Sequence, residues 1–334
     1  MTRYRFEDEG VHQPTQDPIW QESEFIAWWD ESAGIGGFQR IGHLPNQGKA
    51  NYWNALMCAD GLRYRGDVHE IPLEEGDRHS HGLKIGAQSM GATEPGKGAV
   101  DFTDESTEVH LKWDDFYPMC EVWEHGTGGH VEADMAAAHF ESTGRVTGTV
   151  TMGDREFTVD GTFHRDHSWG PRDWEALTGH RWVIGTAGPH FSFSSAVMLG
   201  TSDIVSGGYV LRDGVRFQAT SVDIVIGIEP DNVTARNATV EWKLENGETV
   251  IIDCEPFNGV MLGHGEYIEV DQLGHFRVRG EEDIHGWCDI EVSMNHRLHN
   301  RPVALAIGAG LPLGFSTARE SISLFEAFDT RHTA

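Results

Sequence analysis

Residues 145–163 tie two alternating segments together with a tight turn, a pattern that helical folds do not accommodate. Arg145–Met152 alternates polar and apolar side chains, Gly153-Asp154 follows, and Arg155–Phe163 alternates again. That reads as a β-hairpin. The pattern recurs in Trp182–Gly185, Phe191–Leu199, Gly208–Phe217 around Asp213-Gly214, and Ala238–Asp253 around Glu245-Asn246-Gly247. Short strands spaced about 8–12 residues apart predict an antiparallel barrel or sandwich and argue against βαβ units. Helical signals are few: Asp17–Ser23, with Asp17 as a cap before Pro18, and Leu324–Phe328.

The chain's 334 residues suffice for two domains of usual size or one large β domain. Gly170-Pro171 interrupts any regular element, so a boundary is expected near it: residues 1–165 as a first β domain with an irregular N-terminal arm, 166–334 as a second. The net charge of −28 repels phosphate backbones and anionic headgroups, which excludes nucleic acid and membrane surfaces as partners. The N-terminal stretch is acidic with no apolar run behind it, and the apolar run Val303–Phe315 is too short to span a bilayer. Cys58, Cys120, Cys254 and Cys288 are scattered, without a C-x-x-C, as free thiols of a reducing compartment would be. A cytoplasmic protein is therefore expected. Gly34-Ile35-Gly36-Gly37 and Gly308-Ala309-Gly310 do not open a helix after a buried strand, which excludes a dinucleotide site.

Phe163 to Trp174 gathers two His, two Arg, two Asp and two Trp into twelve residues. Proton donors and acceptors beside large aromatic faces suit acid–base chemistry on an apolar molecule. The alternation of Phe157, Val159, Gly161 and Phe163 defines an apolar face. Continued, it turns Arg165, His167 and Trp169 inward and His164, Asp166 and Ser168 outward. For Asp166 and His167 to serve one substrate, the strand has to bulge or end there. Trp169, Trp174 and Trp182 are candidates to line a cavity. The alternative is structural: an Arg–Asp ion pair and a His–Trp cluster that tie two halves together. Residues i and i+3 of a strand face opposite ways, so His164 and His167 cannot share a metal without a turn. His79-Ser80-His81 lacks a third ligand nearby, and no metal site is expected. His139 and Glu141, two apart, share a strand face and either reach an interior or meet Arg145. Glu291 alternates with Ile290 and Val292, as a solvent-facing or an interior acid.

The run Asp166-His167-Ser168-Trp169-Gly170 resembles the D-H-x-W-G signature of the hydroxyneurosporene synthase, carotenoid 1,2-hydratase and AttH-like family. Arg165 before it and Pro171-Arg172 after it resemble a bacterial branch of that family. His139-Phe140-Glu141 and Gly286–Glu291 resemble its recurrent polar positions. The resemblance implies two tandem lipocalin-like (calycin) β-barrels, an all-β fold, and cofactor-independent chemistry on hydrophobic natural products. It makes Asp166 the expected proton donor and carries the motif His and Trp over to His167 and Trp169. With the readings above, the expected catalytic residues are Asp166 and His167, and the expected substrate contacts are Arg165, Trp169, Trp174, Trp182, His139 and Glu291. Ser168 replaces the amide residue usual in carotenoid hydratases, which argues against a long polyene. The expectation is thus a hydratase, dehydratase or isomerase for a terpenoid- or steroid-like molecule, with a non-catalytic binder of a hydrophobic ligand as the alternative. The partners it calls for are that small molecule and, at most, a second copy in a homodimer.

Overall fold

The computed structural model describes residues 4–79, 81–122, 136–200, 204–229, 234–264, 267–295 and 314–317. The chain is all-β, with a curled half-barrel sheet and a closed eight-stranded barrel, in agreement with tandem lipocalin-like domains. Helix among the described residues is limited to short 3-10 turns, and none is long and apolar enough to cross a membrane. The expected helix at Leu324–Phe328, the glycines at 308 and 310, and residues 303–313 of the apolar run lie outside the described residues.

The half-barrel is built from β1 (Trp20–Asp30), β2 (Ile35–Leu44), β3 (Lys49–Cys58), β4 (Leu62–Pro72), β5 (Arg78–His79), β6 (Gly82–Ile85), β7 (Gln88–Glu94), β8 (Lys97–Thr103), β9 (Thr107–Asp115), β10 (Cys120–Glu121), β11 (Ala138–Met152) and β12 (Arg155–Pro171). Its order is β4-β3-β2-β1-β12-β11-β9-β8-β7-β6-β5, with β10 beside β11. The hairpin read from residues 145–163 is the outer half of β11–β12, where Met152 pairs with Arg155 across the Gly153-Asp154 turn. On β9, Val109, Leu111 and Trp113 are buried while Glu108, His110 and Lys112 are exposed, so one sheet face carries the apolar interior.

The barrel closes through β13 (Leu177–Thr186), β14 (Phe191–Gly200), β15 (Ile204–Arg212), β16 (Val215–Ile228), β17 (Ala235–Leu244), β18 (Thr249–His264), β19 (Tyr267–Val278) and β20 (Glu281–Asn295), with β20 returning to β13. Val183, Phe193, Trp242, Val270 and Ile290 fill its core, and the Trp242 indole donates to the Ser194 carbonyl at 3.0 Å. Asp213 and Gly214 both adopt positive φ, 49° and 80°, the requirement of the two-residue turn that joins β15 to β16. A last strand, β21 (Gly314–Thr317), pairs with the start of β4.

Two sequence expectations need correction. Asp17 caps no helix: its carboxylate accepts the Ile19 amide at 3.0 Å and its carbonyl accepts that of Trp20. This is an Asx-type turn that launches β1, where β-branched and aromatic residues outweigh the cap signal. The chain also does not divide at 165/166. Of the described residues, those up to Leu56 and from Gly66 to Arg172 form one compact unit, and Met57–Arg65 with those from Asp173 onward form the other. Strand β12 carries the first unit through position 165, because both neighbours hold it in unbroken register to Trp169 and beyond.

Candidate functional site

Strand β12 is flanked by β1 and β11, and their registers contain no bulge across residues 162–169. Successive side chains therefore point to opposite sheet faces. Phe163, Arg165, His167 and Trp169 take the apolar interior face; His164, Asp166 and Ser168 take the other. From Phe163 through Ser168 every residue is buried, so both faces are withdrawn from solvent. Asp166 and His167 accordingly serve different environments, and the expected contact between them is not formed.

On the interior face the N-terminal arm supplies the partners. The Arg165 guanidinium holds Glu9 at 2.7 and 3.0 Å and Asp115 at 2.8 and 3.1 Å. Burial opposes the Glu9 charge, but Arg165 outweighs it and holds the carboxyl down at about 2. Glu22 is likewise held at about 2 against burial, by His12 and His167. His167 lies 3.4 Å from Glu22, and burial, which opposes its charge, is outweighed by Glu22 and Glu24, so its pKa rises. The His12 ring stacks on Trp169 with centroids 3.6 Å apart. Arg165 and Trp169, both expected to touch substrate, thus hold the chain's own arm through Glu9 and His12, and His167 lies beside Glu22. Two interior carboxyls shift the other way: burial raises Asp115 in spite of Arg165, and it pushes Glu24, cross-strand from His167, up to about 8.

On the opposite face four titratable groups meet. Glu141, fully buried, lies 3.4 Å from His139 Nε2 through Oε1 and 3.2 Å from His164 Nε2 through Oε2. Burial works against its charge, but the two imidazoles prevail and hold the carboxyl far below the usual range. Asp166 sits cross-strand from Glu141, with Oδ2 3.9 Å from His139 Nε2. Burial raises its pKa, Glu141 adds to the rise, and His139, Arg172 and Arg40 pull against it. His139 is raised in turn, burial being outweighed by Asp166 and Glu141. The Arg172 guanidinium donates to Ser168 Oγ at 2.6 Å and Ser23 Oγ at 3.3 Å. One buried face thus holds a carboxyl with raised proton affinity, a histidine shifted toward its charged form, and a carboxylate held far below the usual range. Such a split in proton affinities is the usual basis of acid–base chemistry.

Trp174, Trp182 and Glu291 belong to the second unit. Glu291 is buried and pairs cross-strand with Trp182. It is hydrogen-bonded to His180 Nε2, whose Nδ1 meets Ser293 Oγ at 2.7 Å. Trp174 lies 6.1 Å from the His180 ring. His180, Glu269 and Glu291 bring ligand-type atoms within 4.8 Å of one another, as do His12, Glu22 and His167. In the second group Glu22 already accepts the His12 amide and the Arg78 guanidinium, which balances its charge.

His139 is the candidate that the fold brings beside Asp166. Glu141 and His164 complete that cluster; the strand period from His139 was the available signal for Glu141. Glu9, Glu22, Glu24 and Asp115 had none, since they reach β12 only through the pairing of distant strands.

The family described as a domain of unknown function (DUF7064) matches over residues 5–296. No curated protein matches the sequence. Among solved structures, an AttH-type protein of Nitrosomonas europaea superposes with a TM-score of 0.65 at 11% identity, over 88% of this chain and 98% of that one. CghA in complex with Sch210972 gives 0.61 at 13% identity, over 83% and 89%. Kievitone hydratase from Nectria haematococca gives 0.61 at 8% identity, over 88% and 93%. The chain shares their fold.

Proposed function

The chain belongs to the family described as a domain of unknown function (DUF7064), and we propose that it is a hydratase/isomerase-type enzyme that works by acid–base chemistry on a hydrophobic small molecule. The carrying observation is Asp166: a buried carboxyl with raised proton affinity, beside a histidine that Glu141 and Asp166 hold toward its charged form. The fold shared with kievitone hydratase, a hydratase by name, supports the class.

In the hydration direction the Asp166 proton passes to one alkene carbon and the π pair forms the new C–H bond. The carboxylate left behind faces His139, whose positive charge lowers the cost of the transfer. Water adds to the cationic carbon, and its surplus proton returns to Asp166, which restores the acid. Dehydration runs the same steps backward. Glu141 and His164 act as positioning residues for His139. The proton donor and its electrostatic partners are all side chains of this chain, so the reading calls for no cofactor. Trp169 has no part in it, because it lies on the other sheet face.

The test is incubation with a panel of apolar alkenes and alcohols in deuterated water, followed by mass spectrometry. Turnover with one carbon-bound deuterium is expected. Asp166→Asn should reduce it at least about 100-fold, the usual size of a general-acid effect. Near-normal turnover by a folded Asp166→Asn protein overturns the assignment. A ligand that binds and never changes supports the non-catalytic binder instead.

A further inference from the structure

The face that carries Asp166 has a second half, built from donors rather than acids. Gln21 precedes Ser23 by two on β1, Arg40 stands cross-strand from Phe25, and Phe25 in turn from Asp166. Their ends converge at Gly42. A Cβ built there would lie 2.7 Å from Asn51 Oδ1 and 2.9 Å from both Arg40 Nη1 and Gln21 Nε2. Any side chain at 42 would displace this convergence.

Arg40 is held from two sides: Nη1 donates to Asn51 Oδ1 at 2.9 Å, and the guanidinium lies 4.4 Å over the Trp53 ring. Gln21 is 4% exposed, and among the described residues its Nε2 has no hydrogen-bond partner. A buried amide donor left unmade carries an uncompensated desolvation cost, so such a group implies something that accepts from it. Arg172, fixed by Ser23 and Ser168, lies on the same face, and both guanidiniums act electrostatically on the Asp166 carboxyl.

We infer that Gln21, Arg40 and Arg172 form an oxygen-binding subsite beside Asp166, and that the substrate is an apolar molecule bearing a carboxylate or enolate rather than a plain hydrocarbon. The inference rests on the Asp166 face being the substrate face. A hydrocarbon would leave the Gln21 donor unmet, whereas an anionic oxygen accepts from it and lies beside two guanidiniums. Planar guanidinium suits such a group better than a lysine ammonium, since it offers paired donors in one plane.

The test is isothermal titration of the whole protein with octanoate and with octan-1-ol, which share a chain and differ in the head group. Octanoate should bind at least about tenfold more tightly. Arg40→Gln and, independently, Gly42→Ala and Gln21→Leu should each weaken octanoate by about tenfold or more and leave octan-1-ol within about threefold. Circular dichroism confirms folding, and Gln21→Leu covers the case in which loss of Arg40 unfolds the chain. No octanoate binding, equal affinity for the alcohol, or octanoate affinity unmoved in all folded variants overturns the subsite. Asp166→Asn separates the two readings: octanoate affinity within about threefold of the parent sustains the oxygen site even where turnover shows Asp166 is not the acid.

Discussion

The two faces of β12 present adjacent residues to opposite kinds of electrostatics. On the interior face, Arg165 and His167, both shifted toward their charged forms, meet Glu9 of the N-terminal arm and Glu22 of β1, whose carboxyls sit at about 2. On the other face, Asp166 keeps its proton more firmly than usual, while Glu141 beside it is ionised. A charge matched by opposite charge lowers one well-defined state and resists change. A face on which one carboxyl is shifted toward its protonated form and its neighbour toward its ionised form, around one histidine, is suited to moving a proton. The same sequence run therefore contains a strut and a candidate reaction site, separated only by the pleat of the strand.

That contrast is most directly broken at Arg165. Arg165→Met leaves Glu9 and Asp115 buried without their common counter-charge, and removal of one side of a buried ion pair costs about 3–5 kcal/mol. Urea denaturation should show that loss, whereas Asp166→Asn, one residue on, should change stability by less than about 1 kcal/mol. Equal losses at the two positions would show that Asp166 is also structural.

How far the residues alone reveal this division can be judged at these positions. The alternation from Phe157 to Phe163 puts Arg165 and His167 on one side and Asp166 on the other, and the strands keep that register. What alternation cannot show is that the outward side is buried too, since a polar outward residue normally means solvent. Nor can it show the partners. Glu9 lies 156 positions from Arg165, and Glu141 meets His164 only because β11 folds back on β12. The D-H-x-W-G run groups residues that the pleat divides: His167 and Trp169 face the arm, and His139, from another strand, stands beside Asp166. Trp174, Trp182 and Glu291 gather around His180 instead, through the β13–β20 pairing.

Glu24 sharpens the comparison from within the interior face. It lies beside His167 yet has a pKa raised from 4.5 to about 8 by burial. Below pH 4.5 the carboxyl is protonated folded and unfolded, and its full contribution is present. As pH rises, the unfolded chain releases the proton first, so stability is lost until the folded carboxyl titrates near 8. Relative to Glu24→Gln, the parent protein should lose about 3 kcal/mol between pH 4.5 and pH 7. Guanidine unfolding of both proteins across that range measures the difference, and parallel pH curves would show that Glu24 is ionised like its neighbours.

The smallest effect tests whether the faces are independent. His12→Ala removes a ring stacked on Trp169 and one of the contacts that hold Glu22 ionised, but His12's backbone amide still reaches that carboxylate in the parent geometry. A stacked aromatic pair contributes about 0.5–1.5 kcal/mol, so a loss of about 1 kcal/mol at pH 7 is expected. Glu22 has a depressed folded pKa; its contribution is present above pH 4.5 and fades as pH falls toward 2. The deficit of the variant should shrink over that same window. If the pleat isolates the two sets of groups, nuclear magnetic resonance of the His139 ring should show the same titration midpoint in parent and variant. A midpoint that moves with His12 would mean that charge on the arm reaches the proposed acid through the strand, and the site would then span both faces.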